Sequence, residues 1–260
     1  MRRILIHAGF HKTGTTHLQQ TLRANRAALR PDIRLVLRPG MTALCESARA
    51  YSKSREDYDL GLVKYETAQL IEHLDAEEAT TIILSSEDLS GHMPGRHGLH
   101  GYGAAPDLMR ALSVAFNAAS PDDTVEFFFT TRTAEPWLRS CYAQHLRASR
   151  MVWDEEDYLK RMRSSADHGA VFDLIRPEIA GHTLTIAALE DYSDDPLGLA
   201  GAVLDRLGFE AARRAGLTPS DTRNAAQSET LKAELLALNR SDLGTPELRR
   251  AKRALIQGAG

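Results

Sequence analysis

Residues 4–22, ILIHAGFHKTGTTHLQQTL, run from an apolar segment through a short polar loop into a helical pattern. A strand, a glycine-containing loop and a helix in immediate succession turn backbone N–H groups toward an anion at the helix N-terminus. Gly9 and Gly14 let the backbone come close to such an anion, and Gly14 accepts conformations that a Cβ opposes. Thr15 and Thr16 add hydroxyl donors beside the first helical turn, and Lys12 adds a point charge. If Lys12 were simply solvated on an ordinary connection, the glycine and threonine placement would have no cause.

Outside this stretch, strand-like and helix-like segments alternate. That pattern predicts an α/β fold: a three-layer αβα arrangement with a central parallel sheet. Strands are predicted at 3–8, 33–37, 80–86, 124–131 and 182–188. Helices are predicted at 15–29, 41–52, 62–76, 104–119, 135–150, 155–165, 196–207 and 228–239. Pro177 and Gly181 in PEIAG mark a turn before the fifth strand. A single domain with a helical C-terminal part is expected over 1–240, and 241–260, ending in QGAG, as a tail that partly frays. Residues 91–103, GHMPGRHGLHGYG, hold five glycines and three histidines and predict a mobile loop over a site. The histidine spacing is irregular and no carboxylate or cysteine accompanies it, so no metal site is expected.

The chain has 260 residues, 43% hydrophobic and 26% charged, an ordinary globular composition. Its formal net charge of −3 gives no cause to expect nucleic acid or an anionic membrane surface as partner. Cys45 and Cys141 fit neither a metal spacing nor a disulfide framework and read as buried thiols. The apolar run before His7 is too short for a signal-peptide core or a membrane span, so cytoplasm is the expected compartment. No helical stripe separates a core-facing from a partner-facing surface, so no oligomeric state is assigned.

The order of residues inside the first loop separates two chemistries. A Walker A loop, G-x-x-x-x-G-K-[ST], places Lys after its second Gly. Here Lys12 precedes Gly14, and Thr15 and Thr16 follow. The string HKTGTT at 11–16 resembles the 5′-phosphosulfate loop of sulfotransferases, which use 3′-phosphoadenosine 5′-phosphosulfate (PAPS) as donor. The resemblance implies a P-loop nucleoside-triphosphate-hydrolase-like fold, with donor contacts from His11, Lys12, Thr13, Gly14, Thr15 and Thr16. It also implies that Lys12 neutralises the bridging oxygen as sulfuryl departs.

Two further segments extend the resemblance. In FFFTTRTAEPWLRSCYAQHL, 127–146, Arg132 ends a strand and Ser140 follows eight residues later. The pair matches, in type and spacing, the Arg and Ser that clasp the donor's 3′-phosphate in sulfotransferases. An arginine fork and a hydroxyl suit phosphate oxygens, although a local cap or ion pair explains Arg132 alone equally well. In TTIILSSEDLSGH, 80–92, Glu87 stands where family members carry a His or Glu as general base. Capping the next turn or pairing with Arg132 is the competing role for Glu87 and Asp88. His92, then His7 and His11, are the reserve candidates for the base.

The segments 188–209 and 222–240 are similar to the family at lower specificity, the second placing Arg223 and Asn224 near the nucleotide; a helix N-terminal loop explains that pair nearly as well. Two features depart from the family. His17 stands where many cytosolic members carry an adenine-stacking Trp, and no glycine-rich C-terminal loop is evident. The resemblance implies a bacterial-type enzyme transferring sulfuryl from PAPS to a hydroxyl or amine of a small-molecule, sugar or lipid acceptor, without a metal. Tyr51, Tyr58 and Tyr65, with the 91–103 loop, are expected to shape the acceptor pocket. Two other readings stay open: a non-catalytic nucleotide-binding module of the same fold, and a P-loop small-molecule kinase, which needs Lys after the second Gly and an acid for Mg²⁺.

Overall fold

All five apolar runs form strands: β1 (Arg3–His7), β2 (Ile33–Leu37), β3 (Thr81–Ser85), β4 (Thr124–Thr131) and β5 (Thr183–Ala188). They make one parallel sheet in the order β2-β3-β1-β4-β5 in this computed structural model, which describes residues 1–30, 32–75, 80–179, 181–220 and 227–258. β1 pairs with β3 through His7 and Ser85, and with β4 through His7 and Phe128. β4 runs three residues past that register, to Thr131.

The helices in chain order are α1 (Thr15–Ala24), α2 (Arg26–Leu29), α3 (Thr42–Ser54), α4 (Asp57–Asp75), α5 (Ala105–Ala119) and α6 (Ala134–Ala148). Then come α7 (Glu155–Arg161), α8 (His168–Glu178), α9 (Leu199–Arg206), α10 (Ala211–Ala215), α11 (Glu229–Arg240) and α12 (Thr245–Gly258). Successive strand side chains point to opposite faces, which assigns them to two cores. Ile4, Ile6, Ile82, Leu84, Phe127 and Phe129 join the core under α3, α4, α5, α6 and α8. Leu5, Ile83 and Phe128 join a second core with Leu18 and Leu22 of α1 and Leu199 and Val203 of α9. With both faces covered, the strands need continuous apolar runs rather than alternation. No described helix is long and apolar enough to cross a membrane.

Several boundaries differ from expectation for local reasons. The helix expected at 15–29 divides at Asn25, whose backbone leaves helical geometry (φ −96°, ψ 11°) while its side chain binds the Thr21 and Thr218 carbonyls. Gly198, at φ +55°, delays the start of α9 to Leu199. PEIAG does not open as a turn at Pro177: α8 carries that proline in its last turn, where one ladder bond is lost, and Gly181 at φ +92° makes the turn. Asp167 starts this helix by accepting the Ala170 N–H at 3.0 Å.

Residues 241–260, expected as a fraying tail, instead contribute α12. Leu248 and Lys252 of α12 are buried, and the Lys252 ammonium donates to the Leu146 and Ser149 carbonyls at 2.6 and 2.7 Å. Those carbonyls lie at the end of α6, where a cation is favoured. A lysine at a core position hid the apolar face of this helix from a hydrophobicity pattern.

An aromatic cluster joins the sheet to the first loop. Phe10 stacks on Tyr102 at 4.2 Å between ring centroids and meets Phe129 and Phe172 at 5.4 Å each. Truncating Phe129, which is fully buried, opens a cavity beneath that loop. Phe129→Ala should lower unfolding free energy by about 3–5 kcal/mol, measured by urea denaturation; a loss under about 1 kcal/mol would show that this cluster does not carry the core.

Candidate functional site

Because β1 lies between β3 and β4 in a parallel sheet, the segments leaving these three strands meet at one edge. Crevices at the carboxyl ends of such strands are where open α/β sheets bind ligands. Here they are residues 8–14, the 3₁₀ turn Glu87–Ser90, and Arg132 with Thr133 leading into α6.

The 8–14 loop is held from beneath by side chains. Thr13, wholly buried, places its hydroxyl 2.6 Å from the Phe10 carbonyl, to which it donates, and 2.6 Å from Thr130 Oγ1. Trp137 Nε1 donates to the His11 carbonyl at 2.8 Å, and the His11 N–H donates to the Tyr102 hydroxyl at 2.9 Å. A Cβ on Gly9 would stand 2.6 Å from His7 Nε2 and Thr130 Oγ1, so glycine is required there. Gly14, at φ +92°, caps α1, and a Cβ would meet Leu189 and Leu199. Lys12 is also left-handed, at φ +68°, an unusual state for a residue with a Cβ.

Among the described residues, the backbone N–H groups of 12–16 donate to no protein acceptor; the first bond of α1 is Leu18 N–H to the Gly14 carbonyl, at 3.1 Å. The helix has no capping side chain and no acid in its first turn. Its positive end is therefore uncompensated.

Cations gather beside it. Lys12, Arg96, Arg132 and Arg147 form no ion pair among the described residues, whereas Arg2, Arg38, Arg55, Arg139 and Arg214 all do. Burial pulls the Lys12 ammonium below its ordinary pKa, and Arg147 and Arg132 push it further down. Burial raises the Cys141 thiol pKa against the pull of Lys12, Arg132 and Arg96, so it stays neutral. A half-buried ammonium within electrostatic reach of two guanidinium groups is stabilised by any anion that joins them. Ser140 is half-buried on α6, and Arg147 lies seven residues on, along the same helix face.

The expected side chains divide between this edge and its supports. Lys12 and Glu87 come within electrostatic reach of each other, and Glu87 accepts from Gln19 Nε2 at 2.9 Å. The Thr13 and His11 side chains turn away from the open N–H row, so those residues can offer a ligand their backbone groups. His11 approaches Asp88 at 3.4 Å and Tyr102 at 3.3 Å. His7 is wholly buried, bound to Ser85 Oγ at 2.7 Å, and burial drives its pKa down to about 4. A ring so enclosed cannot reach an acceptor. His92 likewise falls to about 4 through burial and surrounding cations, and it lines a separate cavity of about 370 Å³ with Ser52, Lys53 and residues 98–104. Arg223 and Asn224 lie outside the described residues.

The 91–103 loop is not the loose cover expected. The His92 N–H binds Ser52 Oγ at 3.0 Å, and His145 Nε2 lies 2.9 Å from the Pro94 carbonyl. His92 and His97 stand 4.6 Å apart, yet no three metal-ligating side chains converge among the described residues. Tyr58 and Tyr65 are exposed, at 76% and 58%, and do not line that cavity; Tyr51 is buried and donates to Asp107 at 2.8 Å. Arg96, Arg147, Tyr102 and Thr130 were not foreseen. The spacing Ser140–Arg147 carried the signal for Arg147; the other three are brought in by tertiary contact.

No protein-family profile matches the chain, and no curated protein matches it. Among solved structures it is similar to the crystal structure of a sulfotransferase from Alicyclobacillus acidocaldarius, at 15% identity and a TM-score of 0.48. The match covers 97% of this chain and 99% of that one.

Asp88 anchors the second segment. Burial works against its ionisation, but His11 and Arg38, the latter at 2.7 Å, outweigh it and hold the pKa near about 2. A carboxylate depressed on folding adds stability above its unfolded pKa and loses it as pH falls through the folded value. Asp88→Asn should therefore cost about 2 kcal/mol at pH 7, with the gap to the wild type closing between pH of about 4 and about 2. Urea denaturation across that range checks it, and a gap independent of pH would contradict it.

Proposed function

We propose that this protein transfers a sulfuryl group from PAPS to a hydroxyl or amine of a small-molecule, sugar or lipid acceptor. One observation carries the reading: a row of N–H groups at residues 12–16 without a protein acceptor among the described residues, together with Lys12, Arg132 and Arg147, which form no ion pair there, the two arginines lying within electrostatic reach of Lys12. The half-buried ammonium and the open helix end suit an anion, and the residues present fit a donor with separated anionic ends. Lys12, Gly14, Thr15 and Thr16 would hold the sulfate end, with His11 and Thr13 contributing backbone groups. Arg132 and Ser140 would hold the 3′-phosphate, and Arg223 and Asn224 complete the expected nucleotide contacts.

PAPS supplies an activated sulfuryl group and a phosphate leaving group. As the acceptor oxygen or nitrogen bonds to sulfur, the bond from sulfur to the bridging oxygen breaks, and its electron pair stays with the departing nucleotide. Lys12 neutralises the charge that develops on that oxygen, a contribution strengthened by its burial. Glu87 takes the acceptor's proton, and Gln19 orients its carboxylate. The helix end and the cations align donor and acceptor, so positioning and charge neutralisation perform most of the catalysis. No step of this scheme needs a metal ion. In a kinase Asp88 would have to bind Mg²⁺, but its oxygens already face Arg38 and His11.

The test is release of 3′-phosphoadenosine 5′-phosphate from PAPS with a panel of hydroxyl and amine acceptors. Lys12→Ala should lower kcat about 10²–10³-fold, and Glu87→Gln about 10²–10⁴-fold, with both variants folded by circular dichroism. Undiminished turnover in Lys12→Ala would overturn the donor assignment. Nucleotide binding without any turnover would favour the non-catalytic module.

A further inference from the structure

A groove of about 560 Å³ runs between the end of α6 and α12, away from the 91–104 cavity. Its lining includes Arg147, Arg150, Arg249, Lys252 and Arg253, and no aspartate or glutamate. In a chain of net charge −3 this is a local concentration, not a general excess. Among the described residues, eleven arginines elsewhere face a carboxylate. Here Arg147, Arg249 and Arg253 form no ion pair among the described residues.

Two of the five cations are structural. Arg150 donates to the Ser241 carbonyl at 2.9 Å and to that of Leu243, fixing the connection into α12. Lys252, 5% exposed, reaches the Leu146 and Ser149 carbonyls. An ammonium has three N–H donors, so one donor of this buried group has no protein acceptor among the described residues. Gln144, Thr245 and Gln257 add neutral polar groups to the walls. Guanidinium groups without a carboxylate, beside a buried ammonium with a spare donor, are chemistry suited to phosphate, sulfate or carboxylate oxygens.

Arg147 lines this groove and stands two helical turns from Ser140 on the same face of α6. The groove thus adjoins the face of α6 that carries Ser140. We infer that the α6–α12 groove holds a multiply anionic group of the acceptor, which presents its nucleophile at the loop. The acceptor would then be an acidic sugar chain or an anionic lipid headgroup rather than a neutral alcohol. The assignment to the acceptor rests on the transfer reading; the presence of an anion site does not.

The experiment measures calorimetric binding of sodium tripolyphosphate to the full chain carrying Lys12→Ala and Arg132→Ala, which disables the loop whatever it binds. That protein should still bind tripolyphosphate, and adding Arg249→Ser and Arg253→Ser, both exposed positions, should weaken binding at least about tenfold. Absent binding, or binding indifferent to the two serines, would overturn the site. Displacement by oligogalacturonide supports a carbohydrate acceptor, and displacement by phosphatidylglycerol-containing vesicles a lipid one. A site that yields to neither contradicts the acceptor assignment. If the wild type fails to bind 3′-phosphoadenosine 5′-phosphate while the groove still takes tripolyphosphate, the transfer reading fails and the anion site remains.

Discussion

Residues 8–14 must hold a fixed shape while leaving the N–H groups of residues 12–14 without a protein acceptor among the described residues, and the surrounding architecture is arranged around that requirement. A loop ordered by backbone hydrogen bonds would use up the donors it offers to a ligand. Here the order comes from side chains brought from elsewhere: Thr130 under Thr13, Trp137 on the His11 carbonyl, Tyr102 on the His11 N–H. Each comes from a different segment, and only a sheet with β1 between β3 and β4 gathers them at one edge. The aromatic cluster of Phe10, Tyr102, Phe129 and Phe172 packs the loop from below. Preorganised donors of this kind need no reorganisation when charge develops against them.

Electrostatics adds a second constraint. Removing a lysine ammonium from water is costly, and the cost rises within electrostatic reach of two arginines. Lys12 is half-buried in a loop at a left-handed position, and there Arg132 and Arg147 add repulsion while the Glu87 carboxylate offsets part of it. A bound anion relieves this repulsion, so the same arrangement that weakens the free protein strengthens its complex. The Asp88 cluster works in the opposite sense, since Arg38, Arg49 and His11 surround one carboxylate and lock the neighbouring turn. Positive charge is neutralised where structure is needed and left open where a ligand is expected.

All five strands were legible in the chain, the central ones because strands buried on both faces appear as unbroken apolar runs such as FFF at 127–129. The loop itself was legible through Gly9, Gly14 and the threonines, which have few other reasons to stand together. Its supports were not. Tyr102, Thr130 and Trp137 are ordinary residues whose role exists only after the sheet assembles. α12 escaped because Lys252 occupies a core position, and α8 because Pro177 looks like a breaker although it falls in a last turn. The glycine-rich composition of 91–103 suggested mobility, while Ser52 and His145 bind that segment down.

The most direct test of the account is calorimetric titration with 3′-phosphoadenosine 5′-phosphate, run beside AMP and ATP. A site built from the loop, Arg132 and Ser140 should prefer the 3′-phosphorylated ligand over AMP by at least about tenfold, since one charge-assisted phosphate contact contributes roughly 1.5–3 kcal/mol. That preference should vanish in Arg132→Ala. Equal affinity for AMP, or a preference for ATP with Mg²⁺, would contradict the account and return the loop to the chemistry of a nucleoside-triphosphate site.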